Sequence, residues 1–373
     1  MTTPTTAAAA RSWAHASRIP TPSGRASSRR TAGHRRAATN TSEAAGGHLA
    51  ETSAAAHAQR VITRRRGRGR FRVRAVPPGL EADVAAAADA HPSVLSSLAK
   101  LAVGSATALF GSVALDEYLD RDGERVRALT NAETSDGVRM YVASPEQPAD
   151  DASEPPPARP AVIVVHQFYG LRRREIDLCD ELARLGYVAV APDTFDGAST
   201  GWVPRAIKLV AGAALLPGAT WGVPQLMSVV RWTAAEGARN FRVDARRVAV
   251  AGFCYGGGAA LRLATAVAES DAAEPLKAVT VFYGKPPDEP EALAKIAAAR
   301  TSVLGVYGTA DKQFPPDAVD AFERGLAAAG VDGRVRRYEG EGHAFVADLA
   351  AVRAGGNAAD AWGVFTRFLA DKL

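Results

Sequence analysis

The chain has 373 residues, 47% of them hydrophobic, which is enough for one large α/β domain with an appendage or for two ordinary domains. The net charge of +5 is unevenly distributed, because residues 1–75 hold 15 arginines and two acids, whereas residues 76–373 hold 30 basic and 38 acidic side chains. The part expected to fold is therefore mildly acidic, which argues against a nucleic-acid-binding domain. Two cysteines without paired spacing argue against a disulfide framework or a metal site.

Residues 1–75 have the composition of an organelle transit peptide. They are rich in Ala, Ser, Thr and Arg, and they lack the compact apolar core of a secretory signal. The segment Phe71–Ala75 resembles the end of many chloroplast transit peptides. We therefore predict delivery to the chloroplast, to the stroma rather than the thylakoid, with the mitochondrion as the alternative.

Residues 76–135 are predicted to form a partly helical N-terminal extension. The segment Leu101–Leu115 contains no charged residue, but it is shorter than the roughly 20 residues that a helix needs to span a bilayer. We expect an amphipathic helix that packs on the main domain. Contact with a membrane surface, or a second targeting signal for the thylakoid, is the alternative for this segment.

From residue 136 onward, short β-branched segments alternate with Ala/Leu-rich helical segments. This alternation predicts one α/β domain over residues 136–373, with a doubly wound, mostly parallel sheet and helices on both faces. The predicted strands are Val138–Ala143, Ala161–His166, Tyr187–Ala191, Arg247–Phe253, Ala278–Tyr283, Thr301–Tyr307 and Arg334–Tyr338. The predicted helices are Leu171–Leu185, Pro224–Glu236, Gly256–Ala268, Pro290–Ala299, Pro316–Ala329 and Ala358–Leu373.

The segment Gly252–Gly257 has the pattern of a nucleophile elbow. An apolar strand leads into Gly-Phe-Cys-Tyr-Gly-Gly and an Ala/Leu-rich helix follows, so Cys254 takes the central position that serine holds in most such turns. The start of the helix favours negative charge on the sulfur, and it is expected to lower the pKa of the thiol into the range of roughly 3.5–7.5. The backbone N–H of Tyr255 is a candidate oxyanion donor.

A second match to the elbow pattern lies at Gly197–Gly201 and would make Ser199 the nucleophile. No apolar strand precedes it, and the following Gly201–Pro204 does not open a helix well. Because the motif depends on a strand–turn–helix context, we predict that Ser199 is not catalytic.

The partners of the nucleophile are expected in the order nucleophile, acid, base. Asp311 follows the predicted strand Thr301–Tyr307, and His343 is the only histidine after Cys254. We predict that His343 accepts the thiol proton and that Asp311 orients the imidazole. Glu339 and Glu341 are the alternatives for the orienting acid.

These residues resemble the dienelactone hydrolase family over about Gly137–Leu373. The resemblance rests on four segments: Gly252–Gly257, Gly308–Pro315, Gly342–Phe345 and Ile163–Gly170. It implies an α/β-hydrolase fold, a triad of Cys254, Asp311 and His343, and a second oxyanion donor at the backbone N–H of Phe168. It also implies a hydrolase that cleaves a small ester or lactone through an acyl-thioenzyme intermediate.

The chain departs from the family pattern at two positions. Gln167 stands where family members often carry a glutamate that contacts the thiol, and Ala347 lies where an arginine would bind a substrate carboxylate. Arg205, in a predicted lid between Phe195 and Pro224, is a weak substitute for that arginine. The candidate residues of the substrate pocket are His166, Gln167, Tyr169, Arg205 and Tyr283. For His166 the alternative is a packed position behind the pocket, and for Tyr169 and Tyr283 core packing is the favoured role.

The sequence thus predicts a monomeric cysteine-dependent ester or lactone hydrolase without cofactor, metal or nucleic-acid partner. The alternative is a non-catalytic α/β-hydrolase scaffold that binds a small ligand or a partner. The departures at Gln167 and Ala347 are the reason for keeping this alternative.

Overall fold

The computed structural model describes residues 92–121, 123–146, 157–271, 273–287 and 289–373, with side chains described from residue 102 onward. The predicted transit peptide, residues 1–75, lies outside the described residues, and so does the first part of the predicted extension.

A single mixed sheet forms the centre of the described chain. Its strands are β1 (Ala132–Glu133), β2 (Arg139–Ala143), β3 (Arg159–Val165), β4 (Val188–Pro192), β5 (Val243–Phe253), β6 (Ala278–Phe282), β7 (Ser302–Gly308) and β8 (Gly333–Tyr338). Their spatial order is β1-β2-β4-β3-β5-β6-β7-β8. The strands β1, β2 and β4 pair antiparallel, and every pair from β4 to β8 is parallel.

The predicted doubly wound α/β sheet is confirmed. Strands β4, β6 and β7 are buried along their whole length, as are the last five residues of β3. Because apolar side chains alternate between the two faces of a strand, such burial requires helices on both faces of the sheet. The short edge strand β1 has no counterpart among the predicted strands.

Eleven α-helices are present among the described residues, and they cover both faces of this sheet. They are α1 (Pro92–Leu119), α2 (Glu124–Arg127), α3 (Arg173–Arg184), α4 (Val203–Val210), α5 (Val223–Trp232), α6 (Ala238–Phe241), α7 (Tyr255–Ala268), α8 (Pro290–Ala298), α9 (Pro316–Ala329), α10 (Leu349–Ala354) and α11 (Gly356–Lys372). A π-helical turn extends α4 over Ala211–Leu215, and another joins α5 to α6 over Thr233–Gly237.

The topology places four chain segments at one edge of the sheet. Strands β3, β5, β7 and β8 run parallel, so their carboxyl ends meet at the same edge, where active sites of open α/β sheets form. The four segments that follow these strands carry, in chain order, Phe168, Cys254, Asp311 and His343.

Helix α1 includes the uncharged segment Leu101–Leu115, and most of its described side chains are exposed to solvent. Phe110 is 72% exposed and Leu115 is 57% exposed, so the packing expected for this segment is absent over most of it. The last turn of α1 is tied to α4 by ion pairs from Asp116 to Arg205 and from Glu117 to Lys208. No described helix is both long enough and apolar enough to cross a membrane.

Candidate active site

Cys254 lies at the tip of a strained turn between β5 and α7. Its φ of 56° and ψ of −116° are unusual for a residue with a side chain, and they direct the sulfur away from the sheet. The turn is tight because a Cβ on Gly252 would come within 1.9 Å of the carbonyl oxygen of Gly256, and one on Gly256 within 2.4 Å of that of Val165. The glycines two residues before and after Cys254 are therefore required by sterics.

Three side chains form a continuous hydrogen-bonded chain at this edge of the sheet. The Nε2 atom of His343 lies 3.1 Å from Sγ of Cys254, and Nδ1 of His343 lies 2.8 Å from Oδ2 of Asp311. Asp311 is 2% exposed, and its Oδ1 accepts hydrogen bonds from the backbone N–H groups of Gln313 and Phe314. The carboxylate is thus held in one orientation with a single oxygen directed at the imidazole.

The loops that carry Asp311 and His343 contact each other directly. The backbone N–H of Ala310 donates to the carbonyl of Glu341, and a Cβ on Gly308 would lie 2.2 Å from that carbonyl oxygen. The carboxylate of Glu341 is turned away and accepts a hydrogen bond from Asn357, while Glu339 is exposed. Asp311, and neither glutamate, is therefore the carboxylate that contacts His343.

The environment of the thiol contradicts the expected direction of its pKa shift. Burial raises the pKa of Cys254 to about 11, although the backbone N–H groups of Tyr255 and Phe168 and the charge of Arg174 act to lower the pKa. Desolvation of a thiolate outweighs these favourable contacts. The sulfur therefore retains its proton at neutral pH, and both N–H groups that face it are positioned to receive negative charge.

The raised pKa predicts how alkylation of Cys254 depends on pH. Because only the thiolate reacts, and its fraction rises about tenfold per pH unit below the pKa, the rate with iodoacetamide should keep rising between about pH 7 and about pH 10. The alkylation rate of the C254A variant measures the background reaction of Cys179. A rate that reaches its plateau below neutral pH would contradict the prediction and indicate a preformed thiolate.

Arg174, at the start of α3, connects the histidine loop to the elbow. Its Nη2 donates to the carbonyl of Val346 at 3.0 Å and its Nε to that of Ala347 at 2.5 Å, while Nη1 pairs with Glu175 at 2.9 Å. The guanidinium also lies 4.2 Å from the ring centroid of Phe253, the residue before the nucleophile. No local sequence pattern indicates this role, because the two carbonyls lie 172 and 173 residues further along the chain.

Replacing Arg174 by methionine should lower kcat for ester hydrolysis by roughly 10-fold, because misplacement of a catalytic group by a fraction of an ångström is costly. The arginine holds two carbonyls immediately after the loop that carries His343. The matched control is R184M, because Arg184 lies at the other end of the same helix, is exposed and pairs with Glu181 within α3. Equal activities of the two variants would contradict this role.

Gln167 and Tyr169 line a cavity of about 280 Å³ beside the oxyanion loop, together with Arg172, Arg174 and Ala347.

Two other predicted pocket residues are placed differently. His166 and Tyr283 are both fully buried and reach no open pocket. The hydroxyl of Tyr283 donates to the carbonyl of Val346, and its ring packs edge-on against His343 at 5.2 Å. Tyr283 thus supports the base from behind.

The expectation that Arg205 binds a substrate anion is wrong. Arg205 is 4% exposed, and its guanidinium lies 2.8 Å from Oδ2 of Asp116 and 3.4 Å from Oδ2 of Asp120. Arg125 pairs with the same two aspartates, which makes a compact cluster of four charges. Both acids belong to the N-terminal extension, so the charge of Arg205 ties α4 to α1.

Ser199 and Cys179 lie apart from this chemistry. The hydroxyl of Ser199 is buried and donates to the carbonyl of Leu171, so the second elbow pattern is a structural turn. Cys179 is buried in α3, and burial raises its pKa. Among the described residues, no group of three or more His, Cys, Asp or Glu side chains is arranged to hold a metal.

The chain is similar to known proteins over the region that contains this site. The model of the dienelactone hydrolase family matches residues 138–373. Over 237 residues the chain is 30% identical to "Putative carboxymethylenebutenolidase" of Escherichia coli O157:H7, which covers 61% of this chain and 80% of that protein. A protein of the same name from Yersinia pestis is 28% identical over 241 residues, with 61% and 81% covered.

Among solved structures, "Putative Dienelactone Hydrolase" from Klebsiella pneumoniae subsp. pneumoniae MGH 78578 is 26% identical, with a TM-score of 0.51. The similarity covers 65% of this chain and 96% of that one. The matched region in the family model includes the whole sheet from β2 to β8 and all four segments of the site. The chain therefore belongs to the dienelactone hydrolase family.

Proposed function

We propose that the chain is a hydrolase that cleaves a small carboxylic ester or lactone with Cys254 as nucleophile. The observation that carries this proposal is the hydrogen-bonded chain from Asp311 through His343 to the sulfur of Cys254. A nucleophile, a histidine base and a group that orients the histidine, hydrogen-bonded in this way, perform acyl transfer on several unrelated folds. Membership of the family supports the substrate class.

Acylation starts from the protonated thiol of Cys254. As Sγ of Cys254 attacks the carbonyl carbon, Nε2 of His343 takes the thiol proton and the carbonyl electrons move onto oxygen. The N–H groups of Tyr255 and Phe168, which already face the sulfur, stabilise this oxyanion. Collapse restores the carbonyl and expels the alkoxide, which takes the proton from His343. The product is an acyl thioester on Cys254.

Deacylation uses the same groups in reverse. His343 removes a proton from water, the resulting hydroxide attacks the thioester carbon, and the oxyanion again accepts hydrogen bonds from the two N–H groups. Collapse expels the sulfur, which regains its proton from His343, and releases the carboxylic acid. The side chain of Asp311 holds the imidazole in place and stabilises the imidazolium that forms twice in each cycle.

The substrate is proposed to be uncharged around its reacting carbonyl. Ala347 lies where the family resemblance implies an arginine, and Arg205 is neutralised by Asp116 and Asp120. The guanidinium of Arg174 is committed to Glu175 and to two backbone carbonyls. Arg172 and Arg173 also line the cavity beside the oxyanion loop, so a comparison of neutral and carboxylated lactones tests this preference directly.

A direct test measures hydrolysis of p-nitrophenyl acetate, p-nitrophenyl butyrate, a neutral δ-lactone and a carboxylated lactone by the full chain. Mass spectrometry of acid-quenched reactions should show an acyl group on the peptide that contains Cys254. Turnover of the neutral substrates with this adduct supports the proposal. Absence of turnover for the whole panel, or acylation elsewhere in the chain, contradicts it.

A non-catalytic scaffold that binds a small ligand is the second candidate function. The neutral Gln167 favours it, because an amide can neither carry charge nor accept the thiol proton. The side-chain amide of Gln167 lines the cavity beside the oxyanion loop, where it can form hydrogen bonds with a ligand. Ligand binding without acylation of Cys254 would favour this function.

We also propose that residues 1–75 deliver the domain over residues 136–373 to the chloroplast stroma. The support is compositional, since this segment holds 15 arginines and only two acids. Fusion of residues 1–75 to a fluorescent protein should give stromal fluorescence. Mitochondrial or cytosolic fluorescence would contradict the proposal.

A further inference from the structure

His166 is fully buried behind the loop that carries Phe168. Its Nδ1 atom lies 2.6 Å from the carbonyl oxygen of Gln167. A carbonyl oxygen can only accept a hydrogen bond, so Nδ1 must carry a proton. The imidazole therefore holds the first peptide group of the oxyanion loop.

The other ring nitrogen has the opposite role. The backbone N–H of Thr194 donates to Nε2 of His166 at 3.3 Å, and the Thr194 hydroxyl lies 2.8 Å from the same atom. A backbone N–H can only donate, so Nε2 carries no proton. Burial also lowers the pKa of His166, which keeps the ring neutral. The ring is thus held as a single tautomer.

The carbonyl that His166 binds and the N–H of Phe168 belong to the same peptide group. In a planar trans peptide these two groups point in opposite directions. A hydrogen bond that fixes the Gln167 oxygen on one side therefore fixes the direction of the Phe168 N–H on the other, towards the sulfur of Cys254. Accepting a hydrogen bond at oxygen also polarises the peptide and strengthens its N–H as a donor.

The same imidazole packs against the residue that supplies the other donor. The rings of His166 and Tyr255 are stacked, with centroids 5.7 Å apart and planes inclined by 22°. The phenol oxygen of Tyr255 lies 3.4 Å from the hydroxyl oxygen of Thr194. One buried side chain thus contacts the segments that carry both N–H groups facing Cys254.

We propose that His166 is a positioning residue that orients the Phe168 N–H as oxyanion donor, with Thr194 selecting its tautomer. The inference rests on the proposed hydrolase function and assigns a new role within the same site. His166 touches neither the substrate nor the sulfur, and it acts only through the peptide group between Gln167 and Phe168.

The test compares three variants of the full chain. H166F keeps a buried ring but removes both nitrogen atoms. H166N keeps an N–H donor near the position of Nδ1. T194V keeps histidine but removes the hydroxyl that holds Nε2. The matched control for T194V is T280V, because Thr280 is fully buried in β6 and its hydroxyl has no partner among the described residues.

Oxyanion donors act mainly in the transition state, so kcat should fall while KM stays nearly constant. We expect H166F to lower kcat for p-nitrophenyl butyrate by about 10- to 100-fold, H166N to recover most of the loss, and T194V to lose less than H166F. The T280V control should match wild type. The dissociation constant of a trifluoromethyl ketone, whose adduct with Cys254 carries an oxyanion, should rise in parallel with the loss in kcat.

Two results would overturn the inference. One is an H166F variant with wild-type kcat and wild-type affinity for the ketone. The other is an H166N variant as impaired as H166F, because a purely packing role predicts no rescue by the donor. Failure of wild type to hydrolyse any ester would contradict the proposed function instead. The ketone adduct would then still compare the variants, because it forms without hydrolysis.

Discussion

A chain in which Cys254 is replaced by alanine should hydrolyse esters at least about 10⁴-fold more slowly than wild type, because removal of a covalent nucleophile leaves only the oxyanion donors and binding. His343 would keep its hydrogen bond to Asp311, so the variant should fold and bind substrate. The measurement is kcat with p-nitrophenyl butyrate, together with mass spectrometry to detect the acyl adduct, which should be absent.

Two control variants separate this effect from general damage. S199A removes the hydroxyl at the centre of the second elbow pattern, which donates only to the carbonyl of Leu171. C179A removes the other thiol of the chain, which is buried in α3. Both should keep activity within about tenfold of wild type, since their expected effects are on stability. Undiminished turnover by C254A would rule out the mechanism that proceeds through Cys254.

The elbow around Cys254 could be predicted from the sequence because it depends on steric contacts between residues that are close in the chain. Gly252 and Gly256 are needed because any side chain would collide with backbone, and such positions show directly as glycine in a sequence. The parallel strands β5, β7 and β8 then place the segments after them at one edge. Order along the chain was therefore enough to bring Cys254, Asp311 and His343 together.

The errors concern partners that are distant in sequence. Arg205 was predicted to be free for a substrate, but its partner Asp116 lies 89 residues earlier, in an extension whose packing has no sequence motif. The sequence left His166 between substrate contact and a packed position, and only the contact with Thr194, 28 residues later, places it behind the oxyanion loop. The buried roles of these residues follow from tertiary contacts, which local patterns do not encode.

The sequence predicted a lowered pKa for the thiol of Cys254, and this direction was wrong because the effect of burial is larger than the effects that lower the pKa. Two backbone N–H donors do act to lower the pKa of Cys254, and one of them belongs to Tyr255, the first residue of α7. Burial acts in the opposite direction and is larger, and the depth of a side chain below the surface cannot be judged from its neighbours in sequence. The consequence is mechanistic, since His343 must act as a base during the attack.

Replacement of Asp311 by asparagine should reduce kcat by about 10³- to 10⁴-fold, because the imidazole would adopt the wrong tautomer. The side-chain carbonyl oxygen of the D311N variant would keep the bonds that Oδ1 now accepts from the N–H groups of Gln313 and Phe314. The amide NH₂ would then face Nδ1 of His343 and donate to it. The proton would move to Nε2, which faces Cys254 and could no longer accept the proton of the thiol.

The D311N substitution removes the charge of the carboxylate and changes the tautomer of His343 without changing the shape of the side chain. D311N keeps the size and the loop contacts of the side chain, so its stability should stay close to that of wild type while its activity collapses. D317N is the matched control, because Asp317 is exposed in the first turn of α9 and should tolerate the change within about twofold in kcat. If D311N retained most of its activity, another group would have to set the tautomer of His343. The short bond from Asp311 to Nδ1 would then be a structural contact only.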